Sequence, residues 1–554
     1  MGDLAMSGHV LLFPKFMLQP FAMRRLKAPN WVWSHGEEGL LADLEQAAWA
    51  VPLADEPASA YRGDDSATAW AEGYGGIGVG CNGGGARAGL VNRFQLKGIG
   101  PNPLVGRDQP YFHAYGGATL EECLLEALWS RVVAQVLPHG AVATYGVLTM
   151  GTQVRRKFPR TNHATHSARA LAVREPTWRW GHAMRSTWFR PSTDTISFTW
   201  DVQRTRAAIQ ALANTAPTPL ETLNDVKQWV QSALSRQAQQ IAAARAKRLM
   251  HGSLTPSNLS WSGAWLDFAG GISTVSDYGR VILPRGAPDF LHEENVLLEA
   301  LPDFCFHLHK YLPAARGLVD ATAELQTHLR TGIRDLLGRR LLELSGWRLP
   351  DRLEPPDCAL ARQLVKHLGS GSQIPFTILQ SDNDAPQVMP LRMTDIPLNA
   401  LWIAVAIECA DCGDAQRLAS AILRDAVSPD RLSTAGTLHD GMRDFWRRRA
   451  KEANASQVQR AFFDALRWNL PCHALYRTQL YPELEAQVDN WGLAPSADAV
   501  TAWLESKIGS GNLHLGCTSL PIDWGAVAVS AAGAPSGVVA PFLLQRLRSL
   551  AAAQ

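Results

Sequence analysis

The stretch from His251 to Gly270 reads HGSLTPSNLSWSGAWLDFAG and holds the residues best spaced for chemistry. Asn258 stands nine residues before Asp267, and Asp267 opens an Asp-Phe-Ala-Gly run. An amide and a carboxylate at the two ends of a short β-hairpin can reach one Mg²⁺, a hard cation that takes oxygen ligands and keeps positions for phosphate. A metal held this way neutralises charge on a nucleotide's phosphates. A base for such chemistry would be an Asp just before the metal amide, but that residue is Ser257 here. The same residue types have plainer uses: a loop Asn forms turns, and an Asp before Phe-Ala-Gly can be a cap.

Other residues could serve the same chemistry. GYGGIGVGCNGGGARAG (73–89) has nine glycines in 17 residues. Glycine lets a backbone approach phosphates and aim N–H groups at them, and Arg87 adds a planar, multidentate phosphate contact. A flexible linker has the same composition. Next comes Leu96-Lys97-Gly98-Ile99-Gly100, a strand ending in a lysine. A strand Lys paired with a Glu on the following helix, here Glu126, is the kinase arrangement for positioning phosphates. Taken singly, Lys97 reads as a solvated strand end and Glu126 as an exposed helix face. Arg174 and Arg179, in AVREPTWRWGH (172–182), lie near Arg155, Arg156, Lys157 and Arg160. They could neutralise a nucleotide or form a solvated basic face.

These residues need elements to position them. Thr119 and Glu122 form a T-x-x-E capping box, and Leu120, Leu124, Ala127, Leu128 and Val132 follow at helical spacing, which predicts a helix over 119–136. Strands are predicted at 89–91, 93–97, 141–150 and 168–173. Residues 1–65 read as a leading segment of loop with short helices. Beyond about 195 the period becomes helical, with helices expected at 223–250, 293–311, 321–344, 397–409, 415–426, 441–466 and 497–507. The expected class is α+β. A small β-containing lobe over 66–190 would carry the Gly-rich loop, the lysine and the glutamate. A large helical lobe over 191–554 would carry the 258–267 hairpin and a C-terminal extension.

Bulk composition narrows the function. The chain has 554 residues, 46% hydrophobic and 19% charged, enough for a large core. A formal net charge of +2 gives no electrostatic footprint for nucleic acid or an anionic membrane. Of eight cysteines, only Cys409 and Cys412 form a CxxC, with no partner motif at zinc spacing. Two buried thiols on a helix turn are expected there, with a zinc-binding module as the rival. Scattered thiols fit a reducing cytoplasm. The N-terminus is apolar but broken by Pro14 and Lys15, unlike a signal peptide, and Met6 breaks the myristoylation pattern. No transmembrane helix is expected.

In chain order, Gly-rich loop, strand Lys, helix Glu, loop Asn and Asp-Phe-Ala-Gly match a kinase-like fold, and the segments resemble the SelO family, kinase-like proteins that transfer AMP to protein hydroxyls. The family's LKGAGPTPYSR is similar to LKGIGPNPLVGR (96–107), and its DGRAVLRSSIREFL to YGGATLEECLLEAL (115–128). Its IRFGHFE is similar to WRWGHAM (178–184), and its HGVMNTDNMSILGLTIDYG to HGSLTPSNLSWSGAWLDFA (251–269). The resemblance covers roughly 70–300. It implies that Lys97 binds phosphates and Glu126 orients it. It places Gly84 and Arg87 on the family's GDGR loop, Gly116 on its DG, and Arg179 on its second arginine. The first arginine falls near Ala172 or Arg174. Asn258 and Asp267 would hold Mg²⁺ (or Mn²⁺), with ATP flipped so that its α-phosphate is open to attack. The family's base Asp is Ser257 here, its GDGR is Gly84-Gly85-Ala86-Arg87, and Tyr115 replaces the Asp before Gly116. The chain ends Ala-Ala-Ala-Gln, where many members carry a redox Cys or selenocysteine. The implied partners are ATP and a protein or peptide acceptor. Phosphoryl transfer and a nucleotide-sensing scaffold without turnover are the rival readings.

Overall fold

Eight strands from the first third of the chain form one antiparallel sheet. They are β1 (Leu18–Leu26), β2 (Asn30–Ser34), β3 (Trp49–Ala50), β4 (Tyr61–Glu72), β5 (Ala88–Val91), β6 (Phe94–Lys97), β7 (Thr144–Arg155) and β8 (His166–Arg174), in the order β2-β7-β8-β6-β5-β4-β1-β3. The computed structural model describes residues 12–107, 109–156, 165–192, 196–197, 199–275, 290–368, 372–378, 387–393, 398–409, 420, 431–470 and 472–516. β6 is buried along its whole length and β8 from Ser167 to Arg174. Both faces of these central strands are covered, and the polar residues on them, Gln95, Lys97, Arg169 and Arg174, are buried as well.

The helices follow. The short α1 (Glu38–Leu44) and α2 (Tyr111–Ala114) precede α3 (Leu120–Val136), and then come α4 (Trp200–Ala213), α5 (Leu223–Ala246), α6 (Asn295–Tyr311), α7 (Thr322–Glu343) and α8 (Pro355–Leu368). After these come α9 (Leu398–Cys409), α10 (Leu432–Glu452), α11 (Ala455–Asn469), α12 (Arg477–Trp491) and α13 (Ala497–Leu515). Two small antiparallel pairs complete the set: β9 (Leu249–Met250) with β10 (Ser273–Thr274), and β11 (Ser372–Ile378) with β12 (Gln387–Met393).

α3 starts where its capping box predicts: the Thr119 hydroxyl accepts the Glu122 N–H at 3.3 Å and the Glu122 carboxylate accepts the Thr119 N–H at 3.1 Å. It lies across the sheet. Leu124, Leu128, Trp129 and Val132 share one buried core with Val147 and Ala170 of the sheet and with residues of α5, α6, α12 and α13. This core runs without a break across residue 190.

Three expectations change. The leading 65 residues are not loop with short helices. β1, β2, β3 and the start of β4 lie there: β4, β1 and β3 form one end of the sheet, and β2 the other. Alternation in β1 is blurred because Arg24, Arg25 and Pro20 interrupt it. The helix expected over 441–466 is two helices, because Asn454 caps α11 through a capping box with Gln457. α4, α8 and α12 were not anticipated. Of the helix expected over 415–426 only residue 420 is described; the rest of it, together with Lys157, Arg160 and Cys412, lies outside the described residues. Among the described residues no helix is long and apolar enough to cross a membrane.

Candidate active site

The 251–272 loop is held by its neighbours before it holds anything itself. The Leu266 N–H donates to the Asn258 carbonyl at 3.2 Å and Ser260 N–H to Ala264 at 2.9 Å, closing a tight hairpin. Gln237 of α5 clamps it, donating to the Ser260 carbonyl at 2.9 Å and accepting the Trp265 indole N–H at 3.3 Å. Asn258 and Asp267 thus stand at the hairpin's two ends, as predicted. Asp267 has φ 69°, a left-handed conformation uncommon outside glycine.

Beneath the loop, buried His251 accepts the Ser253 N–H at Nδ1 (3.3 Å) and donates from Nε2 to the Leu266 carbonyl at 3.1 Å. Burial pushes its pKa down to about 4, which keeps the ring neutral. The Glu293 carboxylate accepts the Gly252 N–H at 2.6 Å and the His251 N–H at 3.3 Å. Burial pushes Glu293 up to about 7, against the pull of those N–H groups and Arg245.

Asp267 faces a cluster of charge. Lys97, the last residue of β6, contacts both Glu126 of α3 and Asp267. Arg174 Nη1, at the end of β8, lies 3.8 Å from carboxylate oxygens of Glu126 and of Asp267. Burial alone would raise the Asp267 carboxyl, but Lys97, Arg174 and Arg87 outweigh it and hold Asp267 well below the usual carboxylate range. Arg87 pairs with Glu122 at 3.2 Å. Burial opposes ionisation of Glu122, yet Arg87 and Lys97 keep its pKa low.

These side chains border a cleft of about 370 Å³. Gly84, Arg87, Lys97, Arg174, Ser257, Asn258 and Asp267 all line it, with the Gly-rich segment on one wall. Gly84, at φ 147°, passes so close to β4 that a Cβ would stand 2.3 Å from the Glu72 carbonyl oxygen. Glu126 sits directly behind Lys97. Gly116 and Arg179 are not among the lining residues. Gly116, at φ 82°, packs beneath the turn after β6, its carbonyl accepting the Gly100 N–H at 3.2 Å. Arg179 is buried behind the cleft and donates to the Ser257 carbonyl at 2.8 Å and to Gln95 Oε1 at 3.1 Å. It therefore ties the sheet to the hairpin loop.

At the position of the presumed base, the Ser257 hydroxyl is hydrogen-bonded to Thr255 Oγ1 at 2.7 Å and donates to Asn258 Oδ1 at 3.3 Å. A hydroxyl in neutral water takes no proton, so Ser257 can orient a ligand but cannot act as a base. Arg156 also differs from expectation. It is buried, donates to Glu121 and Asp489 at 2.6 Å, and joins α3 to α12 away from the cleft.

The donor set suits one Mg²⁺. The Asn258 amide nitrogen donates to the Ser253 carbonyl at 3.0 Å, and its oxygen, which accepts only the 3.3 Å Ser257 hydroxyl bond among the described residues, keeps a lone pair for a cation in the cleft that Asp267 also lines. Two oxygens completed by phosphate and water are what Mg²⁺ takes. Arg174 Nη1 is buried against the cleft with no hydrogen-bond partner among the described residues. Its nearest anions, the carboxylates of Glu126 and Asp267, stand at 3.8 Å, beyond hydrogen-bond reach, so this donor is still open to an acceptor entering the cleft. At Cys409, burial pushes the thiol up to about 11, and among the described residues no three His, Cys, Asp or Glu side chains gather as a metal site.

Some residues of the site escaped sequence reading. Glu122 was seen only as a cap, although its place four residues before Glu126 puts both on one helix face. Gln95 accepts from Arg174 Nε at 2.6 Å as well as from Arg179, and its amide donates to Glu72. Arg477 and Tyr481 reach the cleft from α12, and nothing local to them signals it. No family model matches the chain, and no curated protein matches it at a significant level.

Proposed function

We propose that the chain is a divergent SelO-like nucleotidyltransferase of kinase-like, two-lobed build, which binds ATP–Mg²⁺ in this cleft and transfers AMP to a protein or peptide acceptor. One observation carries the reading. Lys97, Glu126, Arg174, Asn258 and Asp267 come from β6, α3, β8 and the hairpin loop, and meet around one cleft whose wall is the Gly-rich segment. A bound Mg²⁺ would supply charge neutralisation on the phosphates. Lys97 and Arg174 would then hold phosphate oxygens, while Glu126 keeps Lys97 aimed at them. In the transfer, an acceptor oxygen bonds to the α-phosphorus, the bond to the bridging oxygen of the β-phosphate breaks, and pyrophosphate leaves. Ser257 and Thr255 offer hydroxyls to orient the acceptor. Rate would come from positioning and charge, the larger share in such transfers.

ATP labelled at the α- or the γ-phosphate separates the readings. Label reaching an acceptor only from the α position supports AMP transfer, and label only from γ replaces it with phosphoryl transfer. The scaffold reading predicts no ATP consumption by the wild type. Turnover that disappears in a folded Asp267→Ala variant rules it out.

A further inference from the structure

The kinase-like reading gives the C-terminal third of the chain no task, yet that part reaches the cleft. Arg477 and Tyr481, one turn apart at the start of α12, line the cleft beside Ala269 and Gly270. The Arg477 guanidinium lies 4.8 Å from the Tyr481 ring centroid, and its Nη1 is 3.5 Å from the Ala269 carbonyl oxygen. The cation–π contact with the ring and the reach to the Ala269 carbonyl hold the guanidinium at the cleft wall before any ligand arrives.

The chain leading into α12 is fastened to both ends of the 251–272 loop. Arg248, just before β9, has φ 57° and donates to the carbonyls of Trp468 at 2.8 Å and Leu470 at 2.9 Å. Thr274 of β10 donates to the Cys472 carbonyl at 3.0 Å, and Ser273 Oγ accepts the Arg477 N–H at 2.9 Å. β9 and β10 pair with each other and close the loop that carries Asn258 and Asp267. The same ladder therefore fixes Arg477 and Asp267 relative to one another. Such mutual fixing is what a phosphate site needs to hold a reacting group.

Charge points the same way. Glu122, Glu126 and Asp267 offset Arg87, Lys97 and Arg174. A triphosphate keeps net negative charge after one divalent ion binds, so the cleft needs a further cation, and Arg477 stands on its wall. We infer that Arg477 binds phosphate oxygens of the nucleotide, so that sheet, hairpin loop and C-terminal helix each contribute to one site. This rests on the nucleotide reading above.

Calorimetric titration of the full chain with ATP–Mg²⁺, and separately with inorganic triphosphate–Mg²⁺, tests it. Arg477→Ala should weaken both ligands by the same factor, at least about tenfold, the loss of a charge-assisted hydrogen bond. Arg477→Gln removes the charge but keeps an N–H donor for the Ala269 carbonyl, and should weaken binding as the alanine does. It also gives the comparison if the alanine variant fails to fold. Arg477→Gln binding like wild type would mean that Arg477 only steadies the loop, and would overturn the inference. So would a loss for ATP with none for triphosphate, which would place the contact on base or ribose. A wild-type chain that binds neither ligand removes the nucleotide reading and this inference with it. Tight wild-type binding that both variants leave unchanged removes this inference alone.

Discussion

Lys97 is the residue on which the site's stability and chemistry meet. It is buried, and its ammonium is shared between Glu126, also buried, and the more open Asp267. A buried charge is tolerated only while its partners stay, and removing one partner costs more than the pair contributes. Glu126→Ala would leave Lys97 with Asp267 alone, deprive Arg174 of a nearby carboxylate, and remove an acceptor 3.4 Å from the Ala269 N–H. We expect a loss of roughly 3 kcal/mol in urea unfolding, and nucleotide affinity should fall with it because Lys97 loses its aim. Arg174→Lys should be milder for stability than for binding, because a lysine keeps the charge but loses the Nε donor to Gln95. At this scale much was legible. The types and order of Lys97, Glu126, Asn258 and Asp267 pointed to one cleft, and the structure brings all four around it. Arg179 shows the limit. An arginine beside a basic run reads as a phosphate contact, and only packing reveals that it is spent on Ser257 and Gln95.

The hairpin loop depends on two buried groups that titrate in opposite senses. His251 is pushed down to about 4 from 6.5, so between those values the unfolded chain binds a proton that the folded chain refuses. Its share of stability is full above pH 6.5 and is lost as pH falls. Glu293 is pushed up to about 7 from 4.5, so the folded chain keeps a proton that the unfolded chain releases. Its share is full below pH 4.5 and is lost as pH rises through 7. The two slopes oppose each other across the shared window. Glu293→Gln, whose amide oxygen can still accept the Gly252 N–H, removes one of them. Its stability should rise with pH between about 4.5 and 6.5 more steeply than wild type, by up to about 1.4 kcal/mol per pH unit, read from urea unfolding at several pH values. Parallel curves for variant and wild type would count against the buried, protonated Glu293. Among elements, α3 was legible because its start is written in a local capping box. The break at Asn454 uses the same chemistry but falls inside an amphipathic run, where the helical period hid it.

What the sequence hid most is how β2 and the helices after residue 470 return to the middle of the chain. β2 pairs with β7, and Asn30, its first residue, donates to the Pro495 carbonyl at 3.0 Å. α13 then lies on α3, the helix that carries Glu122 and Glu126, with α12 beside it. Pairings so distant in sequence leave no local period or cap to read. The contact of α13 with α3 can be tested with two glycines in one helix. A Cβ at Gly511 would stand 3.0 Å from both γ-methyls of Val132 and from Leu475 Cδ1, whereas a Cβ at Gly509 would meet nothing within 4 Å. Helix propensity favours replacing either glycine, by up to about 1 kcal/mol for alanine. Only the packing differs. Gly509→Ala should therefore stabilise the chain by about 0.5–1 kcal/mol. Gly511→Leu should destabilise it by about 1–3 kcal/mol, because the extra atoms have to push α13 off Val132. Measured by denaturant unfolding under one set of conditions, opposite signs two residues apart would show that α13 is held against α3. Equal stabilisation at both positions would mean that it is not, and the C-terminal helices would then have to reach the cleft through α12 alone.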